Sequence, residues 1–439
     1  MRLFEIALLI TIQHSRVILL ILILIPIMTS PSSSQTPSSP KGMPARPSGG
    51  DSHKELASEL FERYETFSLK QITTRRFKQS EMLEWVKPFE AKKIIEKIPA
   101  GQSAEGRTVS LLKYGKGTTH VLLWSQMHGD EATATMALLD MLSFFASVPT
   151  HAAVRMISER LTLLIIPMLN PDGAERFQRR TAQMIDMNRD ALTLATPEAR
   201  ILKNIHEQYK PAFAFNLHDQ DPRFTVGTTR KVAALSLLAP AEDEAKSDLP
   251  GRVRAKRVAS LFAEMMEIFI PGYVARYDDT FEPRAFGDNV QKWGSSTILV
   301  ESGGWPNDHE KFFLRKLNFV GLTAALYAIA TGEFENADTA AYERLPFNTE
   351  GMFDLIVRNV LFKASDSVPP LRVDIAINYE EEMSDTLGLQ LFGRVVDLGD
   401  LSTFIAFEEM DGNSLTCDSS QISLDRRLSS EELRVFLRK

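Results

Sequence analysis

The chain has 439 residues, 44% of them hydrophobic and 24% charged, with a formal net charge of -7. That is the composition of a folded protein long enough for two or three domains. A net negative chain with no long Lys/Arg run is not built to grip a phosphate backbone, so no nucleic-acid partner is expected. Cys417 is the single cysteine, which excludes an intrachain disulfide and a thiolate metal cluster.

The N-terminus reads as a targeting segment. Arg16 precedes an apolar run over residues 17–28, short for a membrane span and suited to a signal core. A second apolar stretch at 3–12 leaves open whether residues 1–30 are cleaved as a signal peptide or kept as a membrane anchor. Either way the expectation is export, to a periplasm, the extracellular space or a membrane surface. Residues 31–52 are rich in Ser, Pro and Gly; they cannot bury enough apolar surface to fold and are expected to form a disordered linker.

A folded unit is expected over 53–335. Residues 53–66 carry apolar side chains at helical spacing, and 91–98 and 107–114 read as short strands around a turn near Gly101 to Gly106. From 119 onward apolar runs alternate with helical patterns. The strands are 121–124, 161–168, 212–217 and 297–300; the helices are 133–145, 196–209, 252–270 and 311–330. Continuous apolar strands between helices predict an α/β domain whose largely parallel, mixed central sheet is covered on both faces. After Gly332 the pattern changes to short strand-like runs separated by Gly and Asp turns, with no histidine. Residues 345–439 are therefore expected to form a small β-rich accessory domain for packing or interaction.

Polar clusters sit where the four apolar strands end. His128 and Glu131 follow the first, Asn170-Pro171-Asp172-Gly173 the second, His218-Asp219 the third, and Glu301-Ser302-Gly303-Gly304 the fourth. Ligands in open α/β sheets bind at the carboxyl ends of strands. Carboxylates there are costly unless paired or bound to metal. Two imidazoles and one carboxylate, His128, Glu131 and His218, suit a catalytic zinc with one position left for water. Glu301 is then a second carboxylate able to take a proton from that water. His120, His151, His206 and His309 fall at element ends or on helices and are expected to be solvated. Trp124 and Trp293 read as core aromatics.

These motifs resemble the zinc carboxypeptidase family, the funnelin-type metallopeptidases. The residues that carry the resemblance are HGDE at 128–131, NPDG at 170–173, Arg179-Arg180, DMNRD at 186–190, NLHD at 216–219 and ILVESGG at 298–304. They occur in the family's order and span about 92–332. The resemblance implies a zinc carboxypeptidase-like fold and one Zn2+ per chain, held by His128, Glu131 and His218. It implies that Glu301 is the general base activating the zinc-bound water, which then passes the proton to the leaving amine. Either Arg179 or Arg180 would stabilise the oxyanion, and Asn188 and Arg189 would grip the substrate's terminal carboxylate. A surface ion pair of Arg189 with Asp186 or Asp190 is the structural alternative.

The tyrosine that covers the substrate in the family's digestive members has no clear counterpart; Tyr273, Tyr277, Phe281 and Phe286 all fall nearby. Asp288 would either select a basic substrate group or cap the turn before Lys292-Trp293, the capping role being the better fit. The function implied is an exported metallopeptidase cutting a peptide bond near a free C-terminal carboxylate. The same centre would also serve an amidohydrolase on cell-wall peptides or acyl amino acids, and a non-catalytic binding protein could be built on the fold. The sequence does not determine the oligomeric state.

Overall fold

The computed structural model describes residues 51–384 and 388–437. The expected targeting segment and nearly all of the linker lie outside the described residues. The chain opens with α1 (Ser52–Glu62), α2 (Tyr64–Phe67) and α3 (Gln79–Ala91), then β1 (Glu96–Gln102), β2 (Thr108–Gly115) and β3 (Thr119–Trp124). Next come α4 (Thr133–Ser147), α5 (Ala152–Arg160), β4 (Leu161–Ile166), α6 (Pro171–Glu175), α7 (Pro197–Tyr209) and β5 (Phe213–Asp219). The strands β6 (Phe224–Val226) and β7 (Leu235–Leu238), α8 (Pro250–Phe269), β8 (Val274–Arg276), α9 (Phe286–Lys292), β9 (Ser296–Ser302) and α10 (Phe312–Thr331) follow.

Eight strands form one sheet in the order β1-β2-β4-β3-β5-β9-β7-β8. The centre is parallel, with β4 beside β3, β3 beside β5 and β5 beside β9; β7 and β8 form a further parallel pair at one edge. The β1–β2, β2–β4 and β7–β9 pairs are antiparallel. The expectation of a mixed, largely parallel sheet covered by helices therefore holds. Residues of β3, β4, β5 and β9 are almost all buried, which is why these strands read as unbroken apolar runs. Residues 91–95, expected as strand, instead end α3 and lead into β1. The α3 helix presents Met82, Val86 and Phe89 to the core at three- and four-residue spacing.

The first and last helices of this unit are clasped together. Arg315 of α10 meets Asp140 of α4 through two contacts, Nε to Oδ2 at 2.7 Å and Nη2 to Oδ1 at 2.6 Å. Tyr64 donates to the same carboxylate at 2.8 Å, as does the Leu69 amide. Asp140 and Arg315 are both buried, so the pair persists because every lone pair is matched. His53 lies 2.7 Å from Glu333. It is buried.

Beyond α11 (Ala340–Glu343) the chain forms β10 (Asn348–Glu350), β11 (Met352–Lys363), β12 (Leu371–Ser384), β13 (Gly388–Gly399), β14 (Ile405–Asp411), β15 (Thr416–Asp418), β16 (Arg427–Leu428) and α12 (Ser430–Leu437). Except for β10, these strands make a second, six-stranded sheet, the β-rich character expected. β10 instead pairs with β6 of the first unit. Arg223 meets Asp354 at 3.0 Å, and Arg75 and Arg76 meet Glu381 at 2.6 and 2.9 Å. A Cβ on Gly304 would come within 2.7 Å of the Phe407 ring. The second sheet thus rests on loops that follow β5 and β9, at the end of the first sheet that carries the polar motifs.

Candidate metal centre

His128 is placed by a turn after β3. The Ser125 amide donates to Ile166 O, Gln126 adopts φ 46°, and the Gln126 side chain donates to Gly129 O at 3.0 Å. Gly129 is required by a close approach: a Cβ there would lie 2.1 Å from the Gly173 carbonyl carbon. The NPDG motif therefore supports the HGDE loop from beneath. Asn170 accepts from the Gly173 amide at 2.9 Å, and its own amide donates to Met127 O at 3.3 Å. Asp172 is buried and bonded to Ser103 and Arg107.

His218 and Glu301 are direct partners in the β5–β9 register, so both project from the same face of the sheet. His128 Nδ1 lies 2.7 Å from Glu131 Oε1, and His218 Nδ1 lies 2.7 Å from Glu131 Oε2. One ligand atom from each of His128, Glu131 and His218 lies within 4.8 Å of the other two. All three residues are buried. Two imidazole nitrogens and a carboxylate oxygen converging in this way fit a divalent metal, and by donor type zinc. Glu301 is also buried, and its Oε2 has no hydrogen-bond partner among the described residues.

The electrostatics follow from this crowding. Burial opposes a charge on His128, but Glu131 and the Asp186 hydrogen bond outweigh it and raise the imidazole to about 9. Burial lowers His218 despite Glu131. Glu131 resists burial because two imidazoles face it, and it is held well below the usual carboxylate range. Burial, then the charge of Glu131, pushes Glu301 well above that range.

The two candidate arginines separate cleanly. Arg179 turns inward: Nη1 lies 3.0 Å from Glu131 Oε1 and 3.0 Å from His128 Nδ1, while Nε and Nη2 hold Asp186 Oδ2 at 3.2 and 3.0 Å. Arg180 turns outward, exposed, and donates to Met184 O at 3.0 Å. Asn188 accepts from the Phe286 amide at 2.8 Å, tying the turn at 187–189 to α9. Arg189 is exposed and pairs with Glu282 at 3.4 Å. It pairs with neither Asp186 nor Asp190: Asp186 serves His128 and Arg179, and Asp190 accepts from Ala195 and Thr196.

Three residues gain a place here that the motifs did not assign. Asp186 Oδ1 lies 3.0 Å from His128 Nε2, the arrangement by which a carboxylate orients a metal-binding imidazole. Its only sequence signal is its position in DMNRD. Tyr277 lies near enough to feel the centre: the Glu301 carboxylate and burial together raise its phenol far above the ordinary value. Tyr273 instead packs on Trp305, and Phe286 is fully buried. Lys311 reaches Asp219, next to His218. Asp288 accepts from the Glu282 amide at 3.3 Å, in the loop before α9 and not in the turn before Lys292-Trp293, and burial raises it to about 7. Trp124 is a core residue. His206 is buried against Ser295, contrary to the expected solvation.

Part of the chain is similar to known proteins. Residues 82–219 match the sequence model of the zinc carboxypeptidase family. Carboxypeptidase 2 of Trichophyton tonsurans is 30% identical over 152 residues, 33% of this chain and 28% of the relative. Carboxypeptidase 2 of Trichophyton rubrum is 34% identical over 107 residues, 24% of this chain and 19% of the relative. The chain thus spans less than a third of the length of these curated relatives. Among solved structures, a metallo-carboxypeptidase from Burkholderia cenocepacia shares 16% identity with a TM-score of 0.47, over 58% of this chain and 70% of that one. The segment 82–219, which holds His128, Glu131, Arg179 and His218, is thus similar to the zinc carboxypeptidase family.

Proposed function

We propose that this protein is an exported zinc carboxypeptidase that hydrolyses a peptide bond next to a free C-terminal carboxylate. The observation that carries the proposal is Glu301. It stands beside His218 in register on the neighbouring strand, buried, with one carboxylate oxygen unpartnered, across from Arg179 and the His128–Glu131–His218 set. A buried carboxylate without a protein partner is expensive, and a general base is what such a group can do there.

His128, Glu131 and His218 would hold the zinc, which supplies Lewis-acid polarisation of the scissile carbonyl and makes water a nucleophile near neutral pH. Glu301 removes the proton from the attacking water and returns it to the departing amine nitrogen. The Arg179 guanidinium, already within hydrogen-bond reach of Glu131, stabilises negative charge developing on the carbonyl oxygen. Arg189 supplies a planar fork for the terminal carboxylate. Asn188 uses its carbonyl oxygen on Phe286, which leaves its amide to donate to the same carboxylate. Tyr277 flanks Glu301 and can close over the bound end of the peptide. Export is supported by the apolar run at 17–28 behind Arg16.

The test is Glu301→Gln, assayed for release of the C-terminal residue from a panel of blocked dipeptides, with zinc content measured in parallel. Zinc should stay bound while turnover falls by about 10²–10⁴. Turnover equal to that of the parent would remove Glu301 from the mechanism.

A further inference from the structure

Lys311 is an anomaly on three counts. It is 7% exposed, although lysine is among the residues least often buried. It has φ 56°, in the left-handed region that disfavours a side chain. It also sits at the N-terminal end of α10, where the helix dipole repels a cation. Costs that converge on one residue are typical of functional sites.

The contacts of its ammonium indicate what the arrangement achieves. Lys311 Nζ lies 3.2 Å from Asp219 Oδ2 and donates to Ser302 O at 3.2 Å. Asp219 and Ser302 face each other across the β5–β9 pair, each one residue beyond His218 and Glu301. One ammonium therefore ties together the ends of the two strands that present a metal ligand and the general base. Asp219 also accepts from Thr133 Oγ1 at 2.7 Å, and its backbone N–H donates to Glu131 Oε2 at 3.1 Å. The other Asp219 oxygen has no hydrogen-bond partner among the described residues, and the lysine supplies the cation beside this carboxylate.

We propose that Lys311 is a positioning residue for the metal centre, acting through Asp219 to fix the Glu131 carboxylate between His128 and His218. The inference rests on reading those three residues as the metal site. The lysine touches none of them; it sets the strand end and the amide that hold Glu131 at the right distance from both imidazoles. Partners of this kind change metal affinity by 10–100-fold when removed.

The experiment is a cobalt(II) titration of the metal-depleted full chain, followed by visible absorption with a competing chelator. Parent, Lys311→Met, Lys311→Arg, Asp219→Asn and the Lys311→Met/Asp219→Asn double variant are compared. Lys311→Met should weaken cobalt binding about 10–100-fold. Lys311→Arg should restore it to within a few-fold, and the double variant should bind no more weakly than Asp219→Asn alone. Parent-like affinity in Lys311→Met, failure of arginine to rescue, or additive losses in the double variant would overturn the proposal. If Lys311→Met does not fold, Lys311→Gln, which keeps an N–H donor, is read on the same scale. A parent that binds no cobalt would instead remove the metal-site reading itself.

Discussion

Arg179 and Arg180 are adjacent, carry the same side chain and are indistinguishable by motif, yet the structure predicts opposite consequences for their loss. Arg179 lies with its guanidinium 3.0 Å from Glu131 and is anchored from behind by two contacts to Asp186. Its position is set before substrate arrives, so its charge need not reorganise as the carbonyl oxygen becomes an anion. A preorganised donor of this kind stabilises the transition state by about 3–4 kcal/mol, or roughly 10²–10³ in kcat. Arg180 is exposed and holds only the Met184 carbonyl, so its removal should change kcat less than about threefold, as for ordinary surface substitutions. The assay is steady-state hydrolysis of a blocked dipeptide by Arg179→Ala and Arg180→Ala, each at saturating zinc. Cobalt affinity serves as a control, because Arg179 also borders Glu131. Arg179→Ala should lose kcat, with a smaller change in KM. Equal losses in the two variants, or a loss confined to Arg180→Ala, would refute the reasoning.

Two further predictions concern stability. His206 is buried and lowered to about 4, first by burial and then by the charge of Lys203. Its unfolded value is near 6.5, so its contribution is complete above that pH. The contribution is lost as pH falls toward 4, because the unfolded chain takes up the proton first. The effect is at most about 3 kcal/mol. Urea unfolding of the parent and His206→Gln at pH 7 and 4.5 should show the variant losing less stability with acid; equal losses would refute this. The second prediction concerns a chain cut after Gly332. It loses Phe334 and Tyr342, both buried against the first unit, with Tyr342 OH accepting from the Ala239 amide at 3.0 Å. Removing a buried aromatic costs roughly 3–5 kcal/mol. A chain ending at 332 should therefore melt well below one ending at 345, and identical melting temperatures would sink the argument.

The central strands were legible because burial on both faces left them as unbroken apolar runs, and the polar residues at their ends stood out against that background. His128, Glu131, His218 and Glu301 were readable for that reason. β6 and β8 were not, since three residues carry too little periodicity to distinguish from loop. The direction of Arg179 was also hidden. It depends on the Gly129–Gly173 contact and on Asp186, which meet only in the folded chain. Lys311 was invisible in a different way: a single lysine beside an apolar helix reads as solvated until its long-range partners are known. His206 misled for the same reason, because Ser295, its partner, is 89 positions away.

The clasp of Tyr64, Asp140 and Arg315, with His53 against Glu333, bears on how the chain is made. A ribosome delivers α1 some 250 residues before the helix that receives it. Until α10 emerges, Leu56, Ala57 and Leu60 lack the helix that α1 packs against most, and Asp140 lacks the Arg315 guanidinium. Local helices can form during synthesis, but the cooperative unit closes only when its last helix arrives. A stalled or prematurely terminated product would thus be an exposed apolar surface for chaperones and proteases, not a smaller folded unit.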